Sequence, residues 1–362
     1  MKILYAIQGT GNGHISRARD IIPFLEEKGQ LDVLISGTEA DVELGYPVKF
    51  ALKGMSFVFG KKGGVDLAAT YKKAKLKRFY REIKSLHVND YDIVISDFEP
   101  VSAWACRLQK KPCVALSHQA AVLNKKSPHP DNFDPIGKLI IKNYAPANVQ
   151  YGFHFIQYDK KIFTPVIRAA IRNAKIRNKK HYTVYLPAYS DKKIIKVLSE
   201  IKEVEWQVFS KISKKSYVQK NIIIVPINND SFVKSMASSA GVLCGAGFET
   251  PAEALFLEKK LMVIPMKGQY EQQCNAAALK KMDIPVLKKL RPSSIKQIEK
   301  WIQTGKTIQV DFPDATGQVI DEIFDNFASA SELYQVELGN IPYSIKKLKR
   351  GITGNNAHQN LN

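Results

Sequence analysis

The chain has 362 residues, 45% hydrophobic, with 54 Lys and Arg against 34 Asp and Glu, a formal charge of +20. That length suggests two domains, and no apolar run reaches the roughly 18 residues of a membrane span. Cys106, Cys113, Cys244 and Cys274 fit neither a disulfide framework nor a zinc spacing, so a reducing cytoplasm is expected.

Lys2–Gln8 alternates into a strand, so the start MKILYAIQGTGNGH reads as a buried strand and not as a signal peptide. Residues 9–14 form a tight turn. Residues 15–28 form an amphipathic helix with Ile21, Ile22 and Leu25 inward. A dinucleotide fingerprint wants a third small residue where His14 stands, which makes NAD the poorer reading even with Glu39 and Asp41 near a ribose distance. At a helix start, His14 suits capping or packing as well as chemistry. Residues 31–36 are the second strand, and residues 48–59 are apolar segments broken by glycine. The 61–84 run is strongly basic, with Leu76, Phe79, Tyr80, Ile83 and Leu86 at helical spacing. It reads as an amphipathic helix with one basic face. That helix either packs inward as an ordinary surface element or meets anionic headgroups or an anionic, lipid-linked acceptor.

Residues 92–97 form a buried strand ending in Asp97, and Glu99-Pro100 leads into a helix over 101–109. Asp97 also suits the cap of that helix. Asp90-Tyr91-Asp92 precedes its strand, so metal binding there is not expected. A strand over 113–116 ends in Ser117-His118-Gln119. A proline-bearing loop over 124–133, a helix over 136–144 and a strand over 152–158 follow, before a basic linker over 163–180. The second half opens with a strand over 182–186 and a loop over 187–191. A helix over 192–201, strands over 205–209 and 221–226, and a helix over 232–238 come next.

The most informative stretch is 241–276. A strand over 241–244 runs into the turn Gly245-Ala246-Gly247. Thr250 as N-cap, Pro251 and Glu253 then open a helix with a capping box. A strand over 261–264 ends at Pro265, and a polar loop over 269–275 carries Glu271, Gln272 and Asn275. Strand, glycine turn and helix N-terminus make an anion site. The polar loop lies where open α/β sheets bind ligands, at the carboxyl ends of parallel strands. The alternation in two halves predicts an α/β protein of two doubly wound, Rossmann-like domains facing a cleft. They span 1–165 and 181–330, joined by a linker over 166–180, with a polar C-terminal extension over 331–362.

Gly247, Thr250, Glu253, Pro265 and Glu271-Gln272-x-x-Asn275 resemble the donor-binding half of the GT-B glycosyltransferases, especially the MurG-like and UDP-glucuronosyltransferase-like branches. Gly13-His14-Ile15 resembles their amino-terminal motif. The resemblance implies that Glu253 holds the ribose, that Gly247 and Thr250 border the diphosphate, and that Glu271 and Gln272 contact the donor sugar, with Gly245 and Asn275 beside them. It implies His14 as general base and Asp97 as the carboxylate that orients it, with Glu99 in reserve. Gly11, Gly13, His118 and Gln119 would line the acceptor side. Two features depart from the pattern. Gly245 stands where relatives often place His or Arg, so backbone N–H groups or another cation must serve, and the 187–191 loop lacks glycines.

The implied activity is inverting, metal-independent hexosyl transfer without a cofactor. The donor is a nucleotide sugar, a UDP-sugar by resemblance. The acceptor is unidentified, lipid-linked or anionic. The basic helix suggests an anionic membrane surface at the inner face, and no specific nucleic acid is expected. Two other classes stay open. One is a sugar-nucleotide epimerase of the same fold. The other is a non-enzymatic basic protein that binds nucleotides or nucleic acid, to which the charge of +20 speaks.

Overall fold

The computed structural model describes residues 1–37, 43–55, 76–131 and 134–330. Glu39 and Asp41, the 61–75 part of the basic run, the end of the 124–133 loop and the 331–362 extension lie outside them. Both sheets and the cleft belong to the compact unit Met1–Ile320, and a second unit begins at Asp321.

The first sheet holds β1 (Lys2–Gln8), β2 (Gln30–Ser36), β3 (Phe50–Leu52), β4 (Ile93–Asp97), β5 (Val114–Leu116), β6 (Val149–Phe153) and β7 (Ile162–Phe163). Their order is β3-β2-β1-β4-β5-β6-β7, every pair parallel. Strands covered on both faces read as unbroken apolar runs. Accordingly all five residues of β4 are buried. The helices of this half are α1 (Asn12–Glu26), α2 (Leu76–Ser85), α3 (Pro100–Gln109), α4 (His118–Leu123) and α5 (Pro135–Tyr144), with the short α6 (Ala169–Arg172) after β7. Three of these starts have a side-chain cap. Glu99 caps α3 by accepting from Val101 N at 2.7 Å and Ser102 N at 2.6 Å, with Pro100 at the first position. Ser117 caps α4, and Asp134 caps α5 ahead of Pro135. Within α2, Phe79 and Ile83 pack inward, with Leu86 just beyond, while Lys77, Arg81 and Lys84 are exposed. The described part of the basic run is therefore an inward-packing surface helix.

The second sheet holds β8 (His181–Tyr185), β9 (Glu205–Ser210), β10 (Tyr217–Gln219), β11 (Ile222–Pro226), β12 (Gly241–Gly245) and β13 (Lys260–Ile264), in the order β10-β11-β9-β8-β12-β13. Only β10 is antiparallel. It is exposed throughout, which is why hydrophobic periodicity does not reveal it. The helices of this half are α7 (Asp191–Leu198), α8 (Asn229–Ser238), α9 (Glu249–Phe256), α10 (Tyr270–Lys281) and α11 (Ile295–Thr304), and α12 (Thr316–Ala330) follows them in the chain. Its core gathers around Trp206, fully buried against Tyr182 and near Trp301 of α11. Among the described residues no helix is long and apolar enough to cross a membrane.

Three local expectations change. The strand expected over 152–158 is β6, ending at Phe153, because the His154 ring takes the Phe155 backbone N–H at 2.8 Å and the chain turns away. The polar loop over 269–275 is instead the opening of α10, whose Gln, Ala, Leu and Lys are good helix formers. The capping box at Thr250 is not formed. α9 starts at Glu249 after an N-cap Phe248 with no side-chain bond, so Thr250 lies inside the helix and Glu253 bonds elsewhere.

Candidate active site

The strand order reverses between β1 and β4 in the first sheet, and between β8 and β12 in the second. Such switch points open a crevice at the carboxyl ends of the strands. His14 follows β1 on the first turn of α1. Asp97 ends β4, in register with Ile7 of β1. Their separation in sequence disappears: His14 Nδ1 lies 2.8 Å from Asp97 Oδ1. Donation from Nδ1 to the carboxylate fixes the tautomer and leaves the Nε2 lone pair free.

Burial works against the imidazolium, but Asp97 beside it outweighs that and holds the His14 pKa above the ordinary histidine value. Burial likewise works to raise the Asp97 pKa. The positive charge of Arg17 and the contact with His14 overcome it and keep the carboxyl below its usual range.

Arg17, one turn beyond His14 on α1, joins the site although no motif in the sequence marks it. It is 1% exposed. Its Nη2 lies 2.6 Å and 2.8 Å from the two Asp97 oxygens, and its Nη1 donates to Glu249 on the first turn of α9. Asp97 and Glu249 thus hold one guanidinium between the two halves of the molecule. The spacing of Arg17 from His14 puts both on one helix face, a signal that was available. Glu249 carried none, because its partner lies 232 residues away.

Gln8, Thr10, Gly11, Gly13, His14, Phe98 and Gln119 form part of one cleft wall, and Gly247, Phe248, Glu249, Gln269 and Glu271 face them. The α5 residues Gly137, Ile140 and Ile141 add an apolar side. Phe98 holds φ 55°, a left-handed conformation costly for a bulky residue, and turns toward Tyr144 with ring centres 4.8 Å apart. Among the described residues no Lys or Arg lines this cavity.

The remaining sequence-predicted residues divide. Gly11 and Gly247 border open space in the cleft, and Glu271 lines it while accepting from Gln119 Nε2 at 2.9 Å. A Cβ at Gly245 would stand 3.8 Å from Oε1 of Gln272, and that oxygen accepts from Met266 N at 2.9 Å and steadies the loop before α10. Glu99 does not reach the cleft. It is fully buried, with its oxygens committed to the α3 backbone and to Ser36, and burial pushes its pKa up. His118 is likewise buried, at 1% exposure, and its ring stacks on Phe248 at 3.9 Å. Its nitrogens lie 2.7 Å from the Phe153 carbonyl and 2.7 Å from Asn275 Oδ1. Asn275, also buried, donates to the Ala246 carbonyl at 3.0 Å. His118 and Asn275 therefore join the two halves and do not line the acceptor side or the donor site. Glu253 is 3% exposed, with both oxygens engaged by Arg168, whose Nη1 also donates to Asn229 at 2.6 Å. Arg168 is thus a cation brought against α9 from outside that helix.

A sequence profile of the family described as Glycosyl transferase family 1 matches residues 1–304. No curated protein matches the chain. Among solved structures, MurG from Acinetobacter baumannii is 17% identical, covering 90% of this chain and 99% of that one, with a TM-score of 0.52. A UDP-glucosyltransferase from Polygonum tinctorium that glucosylates indoxyl is 11% identical, covering 94% and 99%, with a TM-score of 0.56. A protein from Listeria monocytogenes assigned as a UDP-N-acetylglucosamine 2-epimerase is 12% identical, covering 94% and 99%, with a TM-score of 0.54. At these identities the likeness is one of fold, and the fold is GT-B.

Proposed function

The chain belongs to glycosyl transferase family 1, and we propose that it moves a sugar from a UDP-sugar to an acceptor hydroxyl with inversion at the anomeric carbon. The observation that carries this reading is the His14–Asp97 pair facing a glycine-bordered helix start across one cleft. Asp97 holds the Nδ1 proton. The acceptor hydroxyl gives its proton to His14 Nε2 as its oxygen bonds to the anomeric carbon. The bond from that carbon to the diphosphate breaks, and the nucleoside diphosphate leaves with the electron pair. One displacement inverts the centre. The α9 N-terminus opposes the charge growing on the leaving group, with Gly247 and Thr250 beside the diphosphate and Arg168 as the nearby cation. Glu253 is the ribose group in this reading, which requires it to share or exchange Arg168 when a nucleotide binds. Glu271 faces the donor sugar.

The cavity is about 240 Å³, below the roughly 300–1,000 Å³ of sites that enclose a whole ligand. A nucleotide sugar therefore extends beyond it. Glu249 and Glu271, with no cation among the described lining residues, favour an acceptor that is uncharged near its reactive hydroxyl, and Phe98, Ile140 and Ile141 favour an apolar face on it. The charge of +20 then acts elsewhere, at a membrane surface if anywhere. The four cysteines are all buried thiols, which supports a cytoplasmic setting.

The epimerase of the same fold is the second reading, kept by the Listeria likeness. A thermal-shift panel of nucleotides, followed by turnover with UDP-sugars, separates the two. A bound ligand at 100 times its dissociation constant adds about 2.7 kcal/mol to stability. UDP should raise the melting temperature, and sugar should pass to an added alcohol or phenol. An epimer formed from donor alone favours the epimerase, and no response to any nucleotide sinks both.

A further inference from the structure

We propose that Arg17 is a positioning residue that locks Asp97 against His14 and links this pair to the donor half of the cleft through Glu249. The inference deepens the reading of His14 as base and rests on it.

Arg17 touches every charged group of the cluster. Its Nη2 reaches both Asp97 oxygens and lies 3.1 Å from His14 Nδ1, and its Nη1 meets Glu249. Its guanidinium carbon lies 5.6 Å from the centre of the Phe153 ring, which helps hold the group in place. A lysine could replace the charge but not the fork that spans two carboxylates. Asp97 comes from β4 and Glu249 from α9, so one buried cation is shared by the two walls of the cleft.

The charges explain what the link does. While His14 is neutral, one positive charge, Arg17, faces two negative ones, Asp97 and Glu249. When His14 takes a proton the cluster balances. Without the charge of Glu249 the cluster is balanced beforehand, and the imidazolium is less favoured. The charges facing His14 are Asp97 from β4, Arg17 from its own helix and Glu249 from α9, while Tyr5 of β1 interacts with Asp97 and Arg17 behind them. Glu249 is 28% exposed and lines the cleft, so a ligand that draws it from Arg17 alters the base. The charge of Asp97, which Arg17 holds in place, guards the tautomer. If Asp97 loses its charge, Arg17 can donate to His14 Nδ1, which moves the ring proton to Nε2 and removes the base.

The test is an NMR pH titration of His14 in the full chain, its signal assigned with His14→Gln. Wild type, Glu249→Gln, Arg17→Lys and the double variant are compared. Glu249→Gln should lower the His14 midpoint. In the Arg17→Lys background the same change should have a smaller effect. A His14 midpoint that Glu249→Gln leaves unmoved overturns the proposal, even with a lower melting temperature, and makes Arg17 a structural clamp only. Should Arg17→Lys fail to fold, the Glu249→Gln titration decides alone, since that side chain is partly exposed. The titration uses neither donor nor acceptor. A failure of the base reading would appear instead as normal turnover by His14→Ala.

Discussion

Gly13 has no room for a side chain because Glu249 occupies the place: a Cβ there would stand 2.5 Å from Glu249 Oε2. The residue before His14 thus fits against the first turn of α9 across the cleft. The atom in the way is the end of a flexible side chain, so Gly13→Ala should displace Glu249 from Arg17 without unfolding the protein. The loss should be about 1–3 kcal/mol, the size of a charge-assisted hydrogen bond. Chemical denaturation checks this, and a loss above about 5 kcal/mol would show that the halves themselves cannot close.

Stability should depend on pH with two signed limbs. His14 has a raised pKa in the folded protein. Its contribution is fully present below the unfolded value of about 6.5 and is lost as pH rises through the folded value. Asp97 has a lowered pKa. Its contribution is present above an unfolded value of about 3.9 and is lost as pH falls through the folded value. Urea midpoints across pH should decline at both ends. His14→Gln should flatten the near-neutral limb and leave the acid one, and an unchanged near-neutral limb would contradict the pairing.

Glu253→Gln should cost stability as well as nucleotide affinity. Removing one partner of a buried ion pair costs about 3–5 kcal/mol. Arg168 keeps Asn229, and glutamine keeps an acceptor oxygen, so the loss should fall at or below the low end. Thermal melts with and without UDP separate the two effects. An unchanged melt with weaker UDP binding would mean that the pair with Arg168 is not held in solution.

Much of this arrangement was legible in the sequence, for physical reasons. Buried parallel strands declare themselves as apolar runs, so β1, β4, β12 and β13 could be read directly, while the helix starts after β12 and β13 could not. His14, Asp97, Gly247 and Glu271 follow strand ends and needed only the order of the sheets. What escaped depends on partners far along the chain. Nothing local to Glu249 or Arg168 foretells Arg17 or Glu253. His118 and Asn275 look like site residues because they are polar at strand and helix ends, but each is satisfied by the other. Glu99 has the residue type of a spare acid, yet its place before Pro100 is that of a helix cap. Thr250 is the opposite case: it has the residue type of a cap, while α9 has its cap two positions earlier, at Phe248.

Glu99→Ala tests that distinction. Losing a helix cap costs about 0.5–2 kcal/mol, here also leaving Ser36 without its buried partner. The folded fraction should still transfer sugar at the wild-type rate. An equal melt combined with lost transfer would return Glu99 to the site.

The most direct test is single-turnover transfer by His14→Ala with UDP-sugar in excess. A hydroxyl at neutral pH needs a proton acceptor as its bond to carbon forms, and a positioned histidine contributes roughly 10²–10⁴-fold. Transfer should fall by that factor, while UDP affinity, which the proposed reading assigns to α9 and its neighbours, should stay near wild type. Asp97→Asn should lower transfer too, and the double variant should lose much less than the product of the two effects. Near-normal transfer by His14→Ala, or a loss of UDP binding as large as the loss of transfer, would contradict the account.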